Sequence, residues 1–430
     1  MMQKRLLRTI LAAVLVASLL FSAVPSTAAQ ASGTASYVPG QVIVRLAPVL
    51  GVTIGLINAL FGTVTLGTLP GVSDIFLLAA PLGISAPDLV NLLKIHPGIL
   101  WVELNYETVF PEEGSTDRIY AFGGPDPIPY NGQEVVAALQ LDQAHAISRG
   151  SGVRVAVLDT GVQRSHPFLS GSLHPSGYDF VDLDSSPDEV ADGQDNDGDG
   201  KVDEGYGHGT HVAGILHLVA PEAQILPVRV LDSEGRGTHF RTASAILYAA
   251  REGAEVINLS LGSTQSSWVL REAVRGAARR GAVVVSAAGN QGGDVKQYPA
   301  AEDCVVAVTA LDGQDRRSDF ASYGNWVNLA APGENIYSPF PVDGFAWWGG
   351  TSMAAPFAAG QAALLFGVDS GLTPRQVGAL LGGTASSIQA QNPQDHALLG
   401  AGKVDPLASL EALVNGNSPA GGGVLAHCSP

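Results

Sequence analysis

Four short stretches of the sequence set polar groups suited to bond-breaking chemistry at the ends of apolar runs. Val155-Ala156-Val157-Leu158 ends on the carboxylate of Asp159, and His208-Gly209-Thr210-His211 opens a helical stretch with an imidazole. Ala287-Ala288-Gly289 ends on the carboxamide of Asn290, and Gly350-Thr351 leads to the hydroxyl of Ser352, followed by Met353-Ala354-Ala355. A seryl hydroxyl is a poor nucleophile at neutral pH until an imidazole within hydrogen-bond reach takes its proton. The imidazole in turn needs a carboxylate to fix its tautomer and stabilise its cation. Asp159, His208 and Ser352 meet that requirement if the chain ends carrying them converge, and Asn290 supplies an amide of the kind that stabilises an oxyanion. Singly each stretch is weak, because an Asp closing a strand is usually a turn residue or a helix cap.

The elements that must bring these groups together alternate. Residues 153–158, 225–230, 256–259, 283–287 and 305–310 are nearly continuous runs of Val, Ile, Leu and Ala, the pattern of strands buried on both faces. Helical spacing occupies 209–218, 242–252, 268–280, 352–366 and 374–381. Strand, helix, strand in that order predicts an α/β fold with a parallel sheet covered by helices, its sites lying beyond the carboxyl ends of the strands. Ahead of it, residues 37–107 read as a small α+β unit, with strands at 41–46, 75–79 and 99–104 and helical spacing at 52–61 and 87–95. Residues 110–131 turn to Pro, Gly, Glu and Asp, a linker composition open to proteolysis, and 415–430 read as a flexible Gly/Pro/Ser-rich tail.

The order Asp159, His208, Asn290, Ser352, with these flanking residues and the stretch Val256-Ile257-Asn258-Leu259-Ser260-Leu261-Gly262, resembles the subtilisin-like serine proteases over roughly residues 139–413. The resemblance implies a three-layer, doubly wound, mostly parallel sheet and a secreted endopeptidase acting through an acyl-enzyme. Ser352 would be the nucleophile, His208 the general base and then acid, and Asp159 the orienting carboxylate; Asn290 and the Ser352 backbone N–H would hold the oxyanion. Polypeptide substrates would add as a strand between Gly235-Arg236-Gly237 and Ser260-Leu261-Gly262, with Ala287, Ala288 and Gly289 walling the first pocket. Neutral Gln291 at the rim suits an apolar or medium-sized side chain before the cut. The N-terminal unit, closing on Trp101-Val102-Glu103-Leu104-Asn105-Tyr106, resembles the ferredoxin-like propeptide that inhibits such enzymes within their own zymogen. The implied organisation is a signal peptide at 1–31, a propeptide at 32–107, a linker with the maturation region at 108–131, a peptidase domain at 132–414 and the tail at 415–430. A catalytically silent, calcium-stabilised binding protein on the same scaffold is the alternative, disfavoured by competent residue types at all four catalytic positions.

Lys4, Arg5 and Arg8 precede an apolar run at 10–24 and then small residues ending in Ala29-Gln30-Ala31, the layout of a secretory signal peptide cut after Ala31. The run is shorter than the roughly 20 residues of a spanning helix, so no stable membrane insertion is expected. Lys+Arg 23 against Asp+Glu 40, a net charge of −17, excludes nucleic acid as an expected partner. Cys304 and Cys428 either pair, as secretion permits, or leave Cys304 a buried thiol. Residues 182–204 hold ten carboxylates against the single cation of Lys201. Within them Asp195-Asn196-Asp197-Gly198-Asp199-Gly200 alternates carboxylates and sets a glycine at the sixth place, as a calcium loop does. The twelfth place is Tyr206, so Asp203 or Glu204 would have to close the site; a solvated acidic turn is the alternative to calcium. His211, without a further ligand at zinc spacing, is expected to be a packed helix residue.

Overall fold

The computed structural model describes residues 36–48, 51–112, 120–417, 419 and 423–429; the expected signal peptide at 1–31 and linker residues 113–119 lie outside the described residues. Strands β1 (Tyr37–Leu46), β2 (Val64–Thr68), β3 (Ile75–Ala79) and β4 (Ile99–Val109) enclose helices α1 (Ile54–Phe61) and α2 (Ala86–Leu93). Their spatial order β2-β3-β1-β4, all antiparallel, is the ferredoxin-like arrangement expected of this unit. Alternate residues of β1 face a small separate core, where Val42 and Val44 meet Ile57, Leu78, Leu89 and Leu93. β2 was not foreseen, because its Gly67 and exposed Val64 and Leu66 give no buried face to read.

After β5 (Tyr120–Gly124) come three one-turn helices, α3 (Ile128–Gly132), α4 (Glu134–Ala138) and α5 (Leu141–His145). The large sheet then begins with β6 (Arg154–Asp159), β7 (Tyr178–Asp179), helix α6 (His208–Val219) and β8 (Gln224–Arg229). The short β9 (Arg236–Thr238), α7 (His239–Arg251), β10 (Val256–Leu259), α8 (Trp268–Ala278), β11 (Val283–Ala287), β12 (Val305–Leu311) and β13 (Leu329–Pro332) follow. The seven strands run parallel in the order β13-β12-β11-β10-β6-β8-β7. From β6 the chain winds one way through β7 and β8, then crosses to β10 and winds the other way. That reversal leaves a crevice at the carboxyl ends of β6 and β10, where ligands bind in open α/β sheets. β14 (Ile336–Phe340) and β15 (Gly344–Trp348) pair with β5 in a third sheet, and α9 (Thr351–Val368), α10 (Pro374–Gly383) and α11 (Pro406–Val414) follow.

α9 is apolar on every side because it is enclosed on every side. Among the described residues it is the one helix long and apolar enough to cross a membrane, and 89% of it is buried within the protein. At the C-terminus the flexible-tail expectation gives way at residues 423–429. Leu425 is buried beside α10, and Cys428 is disulfide-bonded to Cys304 at the head of β12. A 3₁₀ turn at Gly423–Leu425 and one covalent link hold a sequence too polar and glycine-rich to announce packing.

Candidate active site

Each candidate group sits where an element stops or starts. Asp159 is the last residue of β6, and His208 is the first of α6. The two elements approach so closely that a Cβ on Gly209 would lie 2.0 Å from the Gly161 carbonyl oxygen and 3.0 Å from the Asp159 Cβ. Gly207, at φ +94°, turns the chain into α6, and a Cβ there would strike the Phe340 ring at 2.1 Å. Both side chains are fully buried, and His208 Nδ1 lies 2.6 Å from Asp159 Oδ1. Ser352 is the second residue of α9, where unpaired N–H groups and the helix dipole favour negative charge. Asn290 follows β11 by three residues, and its orientation is fixed from α9: its Oδ1 accepts from Thr351 N (3.0 Å) and Thr351 Oγ1 (2.9 Å), leaving Nδ2 to donate outward.

These groups converge on one carboxylate that the sequence reading did not single out. Glu112, three residues beyond β4 and 4% exposed, accepts from Ser352 Oγ at 2.8 Å on Oε2 and from Asn290 Nδ2 at 3.0 Å on Oε1. His208 Nε2 lies 3.4 Å from the same Oε2. The serine hydroxyl and the imidazole are therefore both in reach of a single oxygen, and the hydroxyl donates to Glu112 instead of to His208. Gly350 gives the carboxylate its room, since a Cβ there would sit 1.8 Å from Glu112 Oε1. Burial acts to lower the His208 pKa, but the Asp159 and Glu112 carboxylates on its two nitrogens outweigh it and raise it to about 10.

The chain leading to Glu112 lies along the crevice as an added strand. Glu107, Thr108 and Val109 pair antiparallel with Thr238, Gly237 and Arg236, which makes β9 the fifth strand of the N-terminal sheet. On the other side Val109 N–H donates to Gly262 O at 2.9 Å and Gly262 N–H returns to Val109 O at 2.8 Å. Phe110 N–H donates to Gly235 O at 3.1 Å, its ring 5.3 Å from that of His208. Gly235 is indispensable here: at φ +75°, its Cβ would lie 1.9 Å from Phe110. Gly235, Gly237 and Gly262 thus meet an extended segment of the chain itself, and the other residues expected along the groove make further contacts. Leu261 and Ala288 pack into hydrophobic cores, the Ser260 hydroxyl donates to Ser352 O at 2.9 Å, and Gly289 N–H donates to Thr351 Oγ1 at 3.0 Å. Two helix starts are capped from the same N-terminal sheet: Glu103 accepts from Ser267 Oγ, Trp268 N and Val269 N at α8, and Asn105 Oδ1 from Phe240 N at α7.

In the acidic run, carboxylate oxygens of Asp195, Asp197 and Asp199 lie within 4.8 Å of one another. Asp203 and Glu204, the expected closing ligands, are not part of that trio, although Glu204 lies beside Asp199. Asp203 accepts from the Asp192 and Gly193 N–H groups, and Glu204 pairs with Lys201 at 2.5 Å. Arg236 bridges Asp197 (2.8 Å) to Glu107 (3.4 Å), tying the loop to the strand in the crevice. His211 is fully buried, with Nε2 3.1 Å from the carbonyls of Ile336 and Ala346, and burial pushes its pKa down to about 3.

Residues 150–402 match the profile of the Subtilase family. The chain belongs to the subtilase family. Thermitase from Thermoactinomyces vulgaris is 43% identical over 58% of this chain and 87% of its own length. An alkaline protease from Alkalihalobacillus alcalophilus is 33% identical over 75% of this chain and 77% of its own. Fervidolysin from Fervidobacterium pennivorans, a keratinolytic enzyme related to subtilisin, superposes with a TM-score of 0.73 at 25% identity, over 91% of this chain and 63% of that longer one. This subtilase is a subtilisin-like serine endopeptidase, and the crevice holding Asp159, His208, Asn290 and Ser352 is its candidate active site. Glu112 escaped the sequence reading because a Pro-Glu-Glu-Gly linker gives no hint that one of its carboxylates is buried.

Proposed function

We propose that the chain is made as a secreted zymogen whose residues 32–107, with the linker that follows, occupy and inhibit their own active site. Ser352 is the nucleophile in this reading. His208 takes its proton as Ser352 Oγ adds to the scissile carbonyl, and Asp159 Oδ1 on Nδ1 stabilises the imidazolium that results. Asn290 Nδ2 donates to the oxyanion. Collapse of the tetrahedral intermediate breaks the C–N bond, with His208 returning the proton to the leaving amine. Water then repeats the cycle on the acyl-enzyme and frees a carboxylic acid and Ser352.

The observation that carries this reading is the Glu112 carboxylate, received by Ser352 Oγ and Asn290 Nδ2 on separate oxygens. A site that holds a carboxylate between nucleophile and amide donor suits the carboxylic acid product and the oxyanion before it. Residues 107–110 running between Arg236–Thr238 and Gly262 support the substrate direction. For a structural calcium, the donor set of Asp195, Asp197 and Asp199 fits an ion that takes 6–8 oxygen ligands, with backbone carbonyls and water completing the shell. Such an ion would screen the loop and take no part in the chemistry. The signal-like N-terminus at 1–31 supports secretion. The test is casein clearing by secreted protein, with a fluorophosphonate serine reagent and Ser352→Ala as controls, and N-terminal sequencing of the processed form. Clearing that the reagent and the substitution both abolish is the expected outcome. A silent scaffold would clear nothing and stay unlabelled.

A further inference from the structure

The acidic run conceals one carboxylate that is not part of its solvated face. Glu189 accepts four hydrogen bonds on its two oxygens. Oε1 receives the Thr160 hydroxyl in a short contact and Gly207 N–H at 3.0 Å; Oε2 receives Thr210 N–H at 3.0 Å and the Thr210 hydroxyl at 2.7 Å. Thr160 follows Asp159, while Gly207 and Thr210 flank His208. One side chain therefore fastens the strand end that carries the carboxylate to the helix start that carries the imidazole. Gly207 offers no side-chain cap to α6, and the first-turn N–H groups are served from outside instead: Thr210 N by Glu189, and Gly209 N by Thr160 Oγ1 at 3.0 Å.

The Thr160 hydroxyl has one proton. Given to Glu189, it is withheld from Asp159 Oδ1, which lies 3.4 Å from Thr160 Oγ1 and already accepts from Thr160 N at 2.8 Å. Asp159 Oδ1 then faces His208 Nδ1 at 2.6 Å without a competing hydroxyl donor. Burial pushes the Glu189 pKa up to about 7, yet all four contacts come from donors, an arrangement that suits the carboxylate form; a glutamine would turn an NH₂ toward at least one of them.

We propose that Glu189 is a positioning residue for peptide hydrolysis: it clamps Thr160 to the start of α6 and so holds the Asp159–His208 pair in its productive alignment. The inference rests on the triad reading above. Displacements of about 1 Å in a catalytic pair cost on the order of 100-fold in rate, which sets the expected scale.

The experiment uses the secreted, processed enzyme, with wild type added in trace to process slow variants and then inhibitor-free active sites counted by titration. For Glu189→Gln, kcat on a chromogenic peptide falls about 10- to 100-fold with KM within about twofold, and Glu189→Asp recovers part of the loss. The low-field proton resonance of His208 Nδ1–H shifts in Glu189→Gln and moves back in Glu189→Asp. If the glutamine variant folds poorly, Thr160→Val cuts the same link and Thr160→Ser restores it, with the same kcat split. Titrated sites of Glu189→Gln or Thr160→Val that turn over at the wild-type rate with an unmoved resonance overturn the proposal, whatever the melting temperature does. A wild type that serine reagents fail to label overturns the triad reading first, and this inference with it.

Discussion

Glu112 makes the active site of the intact chain a site at rest in two senses. Its Oε2 takes the hydrogen bond that, on the triad reading proposed above, Ser352 gives to His208 during catalysis, and its charge works with that of Asp159 to raise His208 to about 10 against the opposing pull of burial. An imidazole held that high is a cation at neutral pH and has no lone pair with which to accept the serine proton. A folded-state pKa raised above 6.5 stabilises the folded arrangement fully below pH 6.5 and loses that contribution as pH climbs toward 10. Removing the Glu112 charge reverses one of the two causes. In a Ser352→Ala background, Glu112→Gln therefore lowers the His208 titration midpoint, read from its ring proton shifts. With Ser352 present, the same substitution speeds self-processing at neutral pH by about tenfold, the change expected for each unit by which that pKa falls. An unmoved titration curve would mean that Glu112 exerts no charge effect on the base.

At the scale of elements, the contact between β4 and α7 couples the N-terminal sheet to pH. His239, first residue of α7, is fully buried, neither ring nitrogen has a hydrogen-bond partner among the described residues, and the Tyr106 ring of β4 lies 5.5 Å away, tilted to it. Burial alone depresses its pKa to about 3. The assembled arrangement therefore favours neutral His239, and its stability is whole above pH 6.5 and falls as pH drops from 6.5 toward 3. Glu103, raised by burial despite its donors at α8, works in the opposite sense, so the His239 contribution is read against His239→Phe over the unit from about pH 6.5 to 5.5, just below the ordinary histidine value. Inhibition of processed enzyme by the separated N-terminal segment should weaken by up to about tenfold across that unit, and His239→Phe should flatten the slope. A wild-type inhibition constant that is level from pH 6.5 to 5.5 would contradict this. The elements bearing Asp159, His208, Asn290 and Ser352 were legible because strands buried on both faces leave continuous apolar runs, and the residues that end them stand out. β9 was not: Arg-Gly-Thr is a strand only because β4 pairs with it. β14 was hidden by Pro339, and Glu189 by nine acidic neighbours whose solvated role it does not share.

For the whole molecule, a net charge of −17 is distributed unevenly, with ten of the 40 acidic residues in the 182–204 run. Part of that charge is compensated within the chain, by Arg236 on Asp197 at 2.8 Å and Lys201 on Asp199 at 3.2 Å. Arg236 also reaches Glu107, an acceptor that leaves if the N-terminal segment is cut away, so the processed molecule and its loop must be balanced anew. Three carboxylates whose oxygens lie within 4.8 Å repel one another at short range, where salt screens them least. A bound divalent ion turns that repulsion into stability. At a free concentration 100 times its dissociation constant it contributes about 2.7 kcal/mol. For a domain of this class, each kcal/mol shifts melting by about 2–4 °C. Chelation should thus lower the melting temperature of the Ser352→Ala chain, which on the triad reading does not digest itself, by about 5–10 °C. Calcium restores it, sodium at equal ionic strength does not, and the triple substitution of Asp195, Asp197 and Asp199 by Asn removes the difference. A melting curve indifferent to chelator would make the run a solvated acidic turn, with Arg229, Arg236 and Lys201 among its counter-charges.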